Sequence, residues 1–503
     1  MQFTKVLGQR AKVRKIVYSK AIVVCGNPPI PPVENDVNLP IVTVIFINNN
    51  SILDMLNMME REKIIEILFD WNLWDREQFT GTKREGYVKN GLKLLETGQA
   101  VVITGIRRCG KSVLSRQICK SLIERGIEKK NILIVNFEDV RFEKPSKELL
   151  VQIYETYIES LSPKGRLFVV LDEVQLIEGW EKFVRTLQEL GKANIIVTGS
   201  NSKLLSSEYA SSLTGRHLDI QVYPLSFKEF LLFKGIEVKD GLDLISKKHE
   251  ILSAFDGYIE YGGFPKVVLT EGETEKKEIL KSYFKDTIIR DVAMRYKITK
   301  ISLLEELARY YLMNIASLQS LNNIKNIFRR DFPDTSLDTI QRYSQYFDDV
   351  FLIRCVKKFS YSLKEQILNP KKVYCVDTGL RNAIAYRFMK DKGKLFENLV
   401  AVGLLREGKE FFYYKDRDYE IDFVVKEGDA IKELIQVCYE IENEETKERE
   451  IKGLTKGMEK FNLKTGLIIT DREQKEETIT GKRILYIPLW KWLLNITDTT
   501  GRK

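Results

Sequence analysis

Residues 101–112 read Val101-Val102-Ile103-Thr104-Gly105-Ile106-Arg107-Arg108-Cys109-Gly110-Lys111-Ser112. The apolar start predicts a buried strand, and the residues after Ser112 have the pattern of a helix. Between them, the spacing G-x-x-x-x-G-K-S matches the phosphate-binding loop (P-loop) motif. Glycine lets successive backbone N–H groups converge on phosphate at the positive end of the helix. The stretch therefore predicts a nucleotide site in a strand–loop–helix unit.

The motif assigns roles to its residues. We expect Lys111 to reach the β- and γ-phosphates and the Ser112 hydroxyl to bind Mg²⁺. The predicted nucleotide-binding set is Gly105, Ile106, Arg107, Arg108, Cys109, Gly110, Lys111, Ser112 and Val113. Arg107 and Arg108 are also candidates to face phosphate. The predicted cofactors are therefore ATP and Mg²⁺.

A second motif supplies the acids that hydrolysis needs. Residues 167–173 form an apolar run that ends in Asp172 and Glu173. Acids at the carboxyl end of a parallel strand lie at the edge where phosphates bind. Asp172 is predicted to hold Mg²⁺, and Glu173 to polarise the attacking water as general base. The alternative is a strand followed by a solvated acidic turn.

Two more polar residues complete the predicted catalytic set of Glu173, Lys111, Thr198 and Arg216. Thr198 ends a predicted strand, where it would sense the γ-phosphate or orient the water; a turn that caps the next helix is the alternative. Arg216 follows a Ser-rich stretch and would stabilise transition-state charge in its own chain or a neighbour's. The alternative for Arg216 is an ordinary surface arginine.

Composition narrows the class of protein. The chain has 503 residues, 44% hydrophobic and 30% charged, which predicts a globular protein of about three domains. A net charge of +9 does not by itself argue for nucleic acid. Six scattered cysteines and two histidines predict reduced thiols in a cytoplasmic protein without a zinc site. Apolar runs are shorter than the ~20 residues of a membrane span, so no membrane contact is predicted.

From residue 101 onward, strand and helix patterns alternate. Strands are predicted at 101–104, 132–136, 167–171, 194–198 and 218–222. Alternation with helices predicts an α/β fold, a parallel sheet covered on both faces. Farther along, three helices followed by a strand pair suggest a winged helix.

The ordered motifs resemble those of archaeal and bacterial AAA-type ATPases that carry a C-terminal domain of unknown function. The matching segments are 103–112, 136–139, 170–175, 198–202, 213–216, 223–230, 261–265 and 371–380. The resemblance spans about residues 56–495. It implies a five-stranded P-loop core, a helical lid and a winged helix, and it leaves the substrate open.

Near the C-terminus, residues 420–425 and 434–438 resemble the PD-(D/E)xK nuclease core, in which acids and a lysine converge on Mg²⁺. Glu397 fits the helix position and Asp422 the first strand. The next strand has Gln436 and Cys438 where an acid and a lysine are expected. Because a thiol cannot replace a lysine cation, we expect a nuclease-like scaffold used for binding or structure rather than an active nuclease.

The predicted domains follow from these segments. They are a loosely ordered N-terminal extension at 1–54, a P-loop ATPase core at 55–235, a helical lid at 236–300, a winged-helix-like domain at 301–380 and a nuclease-like domain at 381–503. Since Met55, Met58 and Met59 follow the extension, translation is expected to start at one of them.

A basic hairpin at 354–372 is a candidate contact surface. It has one acid, Glu365, and six basic residues: Arg354, Lys357, Lys358, Lys364, Lys371 and Lys372. With Phe359 and Tyr361 interleaved, such a hairpin would follow a phosphate backbone. A solvated hairpin or a protein-contact surface is the alternative. The predicted partners are thus ATP and either DNA or a protein, and the oligomeric state stays open.

Together these patterns favour a Mg²⁺-dependent AAA-type ATPase that couples its nucleotide cycle to domain motion on DNA or a protein. A nucleotide-gated binding module with negligible turnover is the alternative from another class. An ATP-coupled nuclease is disfavoured by Gln436 and Cys438. A small-molecule kinase is disfavoured because Glu173 directly follows Asp172 and the chain extends far beyond the core.

Overall fold

The computed structural model describes residues 15–18, 21–25, 46–47, 49–142, 145–201, 215–385, 392–439 and 444–495, with side chains from residue 60 onward. Three short strands open the chain as a small sheet: β1 (Lys15–Tyr18), β2 (Ala21–Cys25) and β3 (Phe46–Ile47). Their Ile and Val residues favour extended backbone. Most of the loosely ordered extension predicted at 1–54 lies outside the described residues, and that assignment stays a prediction. Helix α1 (Asn49–Trp71) follows.

Next comes a five-stranded parallel sheet that forms the core of the nucleotide end. Its elements are α2 (Glu85–Leu95), β4 (Ala100–Thr104), α3 (Lys111–Glu124), β5 (Ile132–Asn136), α4 (Lys147–Leu161), β6 (Phe168–Asp172), α5 (Trp180–Glu189), β7 (Asn194–Gly199) and β8 (His217–Gln221). The strand order is β5-β6-β7-β4-β8. Strands β4 and β6 are buried along their whole length because apolar clusters cover both faces of the sheet. The predicted fold class is confirmed.

A group of helices follows the parallel sheet, and all of them except the first lie where the lid is predicted. They are α6 (Phe227–Phe233), α7 (Gly241–Ser246), α8 (Lys248–Tyr261), α9 (Pro265–Leu269) and α10 (Glu273–Asp286). The last one continues into a π-helix, Thr287–Met294. Helix α6 starts at a capping box, in which the Ser226 hydroxyl and the Glu229 carboxylate each accept a backbone N–H of the other residue.

The following region has helices and a small antiparallel sheet. Its elements are α11 (Ile301–Met313), β9 (Leu318–Gln319), α12 (Leu321–Phe328), α13 (Leu337–Asp349), β10 (Ile353–Val356), α14 (Leu363–Leu368), β11 (Lys371–Cys375) and α15 (Thr378–Ile384). The strand order is β10-β11-β9. Helix α14 lies in the connection between β10 and β11. The winged-helix assignment stays a prediction.

Asp377 joins two of the sequence motifs. One of its carboxylate oxygens accepts the Gly263 N–H at 2.7 Å, and the other accepts the Leu380 N–H at 2.9 Å. The Gly263 carbonyl in turn accepts the Leu225 N–H at 2.6 Å. Burial raises the pKa of Asp377 to about 6. Segments 261–265 and 371–380 therefore fasten the lid helices to the region that follows.

The C-terminal region is built on a six-stranded mixed sheet. Its elements are α16 (Lys392–Arg406), β12 (Glu410–Lys415), β13 (Glu420–Glu427), β14 (Ala430–Cys438), α17 (Glu444–Lys460), β15 (Thr465–Thr470), β16 (Lys475–Ile479), β17 (Lys482–Pro488) and α18 (Leu489–Leu493). The strand order is β12-β13-β14-β15-β17-β16, with β14, β15 and β17 parallel. In the described part of the chain, no helix has both the length and the apolar content to cross a membrane.

Candidate nucleotide site

The P-loop runs from the end of β4 to the start of α3. Gly105 has φ 147° and Gly110 has φ 102°. Residues that have a Cβ atom rarely adopt these backbone conformations. Gly105 also lacks space, because an added Cβ would lie 2.0 Å from the carbonyl oxygen of Val222. Helix α3 begins at Lys111, so the N–H groups of its first turn have no partner within the helix. The loop thus has the backbone that an anion site requires.

Lys111 folds over its own loop. Its Nζ donates to the carbonyl oxygens of Gly105 at 3.1 Å and Ile106 at 3.3 Å. It also lies 3.8 Å from Glu173 Oε1 with its side chain only 4% exposed. The ammonium is therefore held inside the loop, next to one of the predicted acids.

Asp172 binds two hydroxyl groups. The Ser112 hydroxyl donates to Asp172 Oδ1 at 3.0 Å, and the Thr198 hydroxyl donates to the same oxygen. Burial raises the pKa of Asp172, and the two hydroxyls oppose this shift by stabilising the charged form. A hydroxyl beside a carboxylate is an oxygen donor set that suits Mg²⁺. The structure thus brings Ser112 and Asp172 together, and metal binding by the pair stays a prediction.

Glu173 is held in a conformation that residues other than glycine seldom adopt. Its φ is 55°, and its N–H donates to the Thr198 hydroxyl at 3.1 Å. The Gln175 side-chain amide donates to Glu173 Oε2. Strained backbone of this kind is concentrated at functional sites. Thr198 therefore positions both acids, and its contact with γ-phosphate or water stays a prediction.

The two loop arginines contact the lid. Arg107 donates from Nε and Nη2 to Asp291 at 3.0–3.1 Å and from Nη1 to Glu138 at 2.8 Å. Arg108 is exposed, lies 4.0 Å from Asp286 and stands above the ring of Tyr283. In this structure both are engaged by protein groups. Their predicted contact with phosphate requires them to leave these partners.

Ile106 and Cys109 have buried side chains. The Cys109 thiol donates to the carbonyl oxygen of Val222 at 3.3 Å, and burial raises the pKa of this thiol. Val113 and Gly110 line the open side of the loop. Ile106 and Cys109 therefore contribute only backbone to the predicted phosphate site.

Arg216 lies at the wrong edge of the sheet for a role in its own chain. Its carbonyl accepts the N–H of Ala100, at the amino end of β4, whereas the P-loop follows the carboxyl end of that strand. Its guanidinium pairs with Glu189, and the side chain is 43% exposed. The prediction that Arg216 acts on the nucleotide of its own chain is therefore wrong. Action on a neighbouring chain stays a prediction.

Arg84 supports the P-loop and was missed in the sequence. Its guanidinium makes two hydrogen bonds to the Glu229 carboxylate, at 2.7 and 2.8 Å. It also donates to the carbonyl oxygens of Cys109 at 3.2 Å and Tyr223 at 3.1 Å. The only sequence signal was indirect, since Glu229 belongs to the capping motif of segment 223–230.

An open cleft of about 900 Å³ is lined on one side by the P-loop and on the other by the lid helices α9 and α10. Its polar wall includes Lys111, Ser112 and Glu173. Its apolar wall is formed by Phe79, Pro265, Leu269, Ile279 and Tyr283. The polar wall suits the phosphates of a ligand, and the apolar wall suits a planar ring.

In the C-terminal region, Glu397 and Asp422 meet as the nuclease resemblance predicts, but a lysine stands between them. This lysine is Lys372 of β11, from outside the strand in which the motif places it. Gln436 accepts the Asp422 N–H at 3.2 Å and donates to Glu450, and Cys438 is buried. Within the described residues, no group of three or more His, Cys, Asp or Glu side chains is arranged to hold a metal ion.

Fewer side chains of the basic hairpin are free to contact a phosphate backbone than its sequence suggests. Lys372 is buried, and Arg354 donates to Asp348 at 3.0 Å. Phe359 is also buried, and its N–H donates to the Tyr413 carbonyl of the C-terminal sheet at 2.7 Å. Two of the six basic residues counted there, Arg354 and Lys372, are therefore paired with carboxylates of the protein. Four lysines remain near α14, together with exposed Tyr361, Leu363, Ile367 and Leu368.

The sheet and the P-loop define the class, an AAA-type P-loop ATPase-like domain, which supports nucleotide binding. A family model described as an AAA domain matches residues 97–231. Two domains of unknown function, DUF8612 and DUF4143, match residues 252–391 and 392–492.

Similar chains extend this match over most of the length. An uncharacterized protein of Methanocaldococcus jannaschii, MJ1544, is 38% identical over 406 residues, 78% of this chain and 88% of the relative. An uncharacterized protein of Haemophilus influenzae is 30% identical over 409 residues, 81% of this chain and 98% of the relative. The chain belongs to the family of AAA-domain proteins that includes these two. Among solved structures, the Walker-type ATPase PABY2304 of Pyrococcus abyssi is similar with a TM-score of 0.39 and 14% identity, covering 62% of this chain and 99% of that one.

Proposed function

We propose that this protein is a Mg²⁺-dependent ATPase whose nucleotide state sets the position of the lid and of the regions beyond it. The observation that supports this most directly is the arrangement around the P-loop. Lys111, Ser112 and the acids Asp172 and Glu173 lie within one network of contacts at the carboxyl edge of the sheet. This network contains the cation, the hydroxyl and the two carboxylates that phosphoryl transfer to water requires.

The donor set fits the cofactors. Ser112 and Asp172 would hold Mg²⁺, and bound Mg²⁺ would supply positive charge to the phosphate oxygens. Lys111 would exchange its contacts with two loop carbonyls for phosphate oxygens, so its buried ammonium would stay paired. The ring of the nucleotide would lie against Phe79 and the apolar side of the lid.

Glu173 would act as the general base. Gln175 holds its Oε2 and Thr198 fixes its backbone, which leaves Oε1 to accept a proton from the attacking water. Lys111 Nζ lies 3.8 Å from Oε1, and phosphate would draw this ammonium away. A carboxylate held in this way is oriented without being neutralised.

A chain of contacts links the loop to the lid and beyond it. Asp291, on the π-helix, accepts from Arg107 and from the Ser200 hydroxyl at 3.3 Å. Asn201 donates to the Tyr296 hydroxyl, which donates to Asp349 of α13, both at 3.2 Å. If phosphate draws Arg107 away from Asp291, the lid loses a buried ion pair. This contact is the proposed transmitter of nucleotide state.

Replacing Lys111 by methionine tests the nucleotide site. Charge-assisted hydrogen bonds contribute about 1.5–3 kcal/mol each, so ATP should bind at least about 100-fold more weakly. Titration with a fluorescent ATP analogue measures this. Lys120→Met, at an exposed position of the same helix, is the matched control and should bind like the parent. Equal affinity of both variants would refute the site.

The Arg107–Asp291 contact predicts a second effect. In Asp291→Asn, the nucleotide-free lid should exchange its amide hydrogens faster over residues 273–294, by roughly 30-fold for a loss of about 2 kcal/mol. ATP should then change this exchange less than in the parent. Asp286→Asn is the control, since Asp286 lies 4.0 Å from Arg108 and 3.9 Å from Arg290. An unchanged ATP response in Asp291→Asn would exclude this contact as the transmitter.

The partner on which the motion acts is either DNA or a protein. The four remaining lysines of hairpin 354–372 support contact with phosphates. The exposed apolar side chains of α14 support contact with a protein. The measurement that separates the two partners is the stimulation of ATP turnover by duplex DNA at several salt concentrations. If DNA is the partner, the stimulation should fall steeply with salt, because phosphate contacts weaken as salt rises.

A further inference from the structure

Three carboxylates of the C-terminal region surround one lysine of the preceding region. Lys372 Nζ lies 2.8 Å from Glu420 Oε1, 2.9 Å from Asp422 Oδ1 and 3.0 Å from Glu397 Oε1. The lysine side chain is 3% exposed. It comes from β11, whereas the acids come from α16 and β13. The cluster therefore lies across the boundary between two regions of the chain.

So much buried negative charge requires a cation. An uncompensated carboxylate in a low-dielectric interior costs several kcal/mol, and three that face one point repel each other. An ammonium has three N–H donors, and here three carboxylate oxygens lie within hydrogen-bonding distance of it. The geometry of the cluster is thus matched by Lys372, and Lys415 pairs with Glu420 as a second cation.

The three acids also accept hydrogen bonds from other groups. Asp422 Oδ2 accepts the Val437 N–H at 3.0 Å, and Glu420 Oε2 accepts from Lys415 at 3.0 Å. Glu397 Oε1 also accepts the Tyr374 hydroxyl at 2.7 Å. Burial alone would lower the pKa of Lys372, but the surrounding carboxylates raise it well above its ordinary value. The ammonium of Lys372 therefore stays charged at the centre of the cluster.

We infer that Lys372 is the resident cation of this site: its ammonium closes the carboxylate cluster to divalent metal ions and fastens regions 301–380 and 381–503 to each other. A lysine that assisted metal-dependent cleavage of a phosphodiester would have to leave the carboxylates free for the metal. Here their inward oxygens bind the lysine. The two regions therefore move as one body, and motion driven by nucleotide occurs elsewhere, between the core and the lid.

The test replaces the cation in the full-length chain. Lys372→Met keeps most of the side-chain volume and removes the charge, and we expect one Mn²⁺ site per chain that the parent lacks, detected by electron paramagnetic resonance without nucleotide. The melting temperature should fall by several degrees and should recover partly when Mn²⁺ is added. Lys371→Met, at the half-buried neighbouring position, should gain no Mn²⁺ site and should keep the melting temperature of the parent. Lys372→Arg retains a cation and should gain no Mn²⁺ site.

The double variant Lys372→Met/Asp422→Asn removes one positive and one negative charge. It should fold, with a melting temperature above that of Lys372→Met, and it should lack the new Mn²⁺ site. If Lys372→Met fails to fold, the double variant is compared with the parent instead. A double variant that also fails to fold would overturn the inference. A Mn²⁺ site in the parent that Asp422→Asn abolishes would overturn it too. So would a Lys372→Met variant as stable as Lys371→Met and without added Mn²⁺ binding.

Discussion

Glu173→Gln should stop ATP turnover while ATP remains bound. Glutamine has nearly the same shape, so the contacts from Gln175 and Thr198 are retained in part, but its amide oxygen cannot take a proton from water at neutral pH. General-base catalysis contributes about 100- to 10,000-fold, so phosphate release should fall by at least about 100-fold. ATP affinity should change little or increase, because the substitution removes a negative charge near the phosphates.

Phosphate release and ATP titration, measured on the same samples, test the two expected effects on turnover and on affinity. Glu178→Gln changes an exposed acid five residues farther along and should leave both values at the parent level. If the parent itself binds ATP without measurable turnover, and Glu173→Gln is indistinguishable from it, the protein is instead a nucleotide-gated binding module. If Glu173→Gln abolishes ATP binding, the carboxylate supports the fold of the site and is not its base.

The core of the fold and half of the site could be predicted because their signals are local. Four of the five strands of the parallel sheet are built on apolar runs, and a fully buried strand needs such a run. The edge strand β8 is only partly buried and carries His217, Asp219 and Gln221. The P-loop motif is equally local, since loop and helix follow each other in the chain. Asp172 and Glu173 were predicted because the carboxyl ends of parallel strands meet at one edge. The same rule, applied to Arg216, would have placed it at the opposite edge, since it precedes β8.

The sequence did not reveal which charged side chains pair when they are far apart in the chain. Lys372 neutralises Asp422 although they are 50 positions apart, and a motif that expects the lysine on the neighbouring strand cannot find it. Asp291 reaches Arg107 across 184 positions. It does so from a π-helix, whose register differs from that of an α-helix. The positive φ of Glu173 is also fixed by tertiary contacts. Pairing of this kind depends on the packed structure and leaves no periodic pattern in the chain.

Arg84→Met should destabilise the core by about 3–5 kcal/mol, because it leaves the Glu229 carboxylate buried without its partner. Glu229→Gln should cost less, since the amide oxygen can still accept one bond from Arg84. The double variant Arg84→Met/Glu229→Gln should lose less than the sum of the two, since neither charge is then stranded. Urea unfolding followed by tryptophan fluorescence measures all three. Arg185→Met breaks an exposed pair with Glu189 and, as the control, should cost less than about 1 kcal/mol.

The same variants separate support of the P-loop from support of the fold. Arg84 donates directly to the Cys109 carbonyl, whereas Glu229 reaches the loop only by orienting Arg84. ATP affinity should therefore fall most in Arg84→Met, less in Glu229→Gln, and remain at the parent value in Arg185→Met. If stability falls in Arg84→Met while ATP affinity stays constant, the loop keeps its shape without this hydrogen bond, and Arg84 serves only the packing between α2 and segment 223–230. A parallel loss of both would show that the buried pair holds the phosphate-binding backbone in its active geometry.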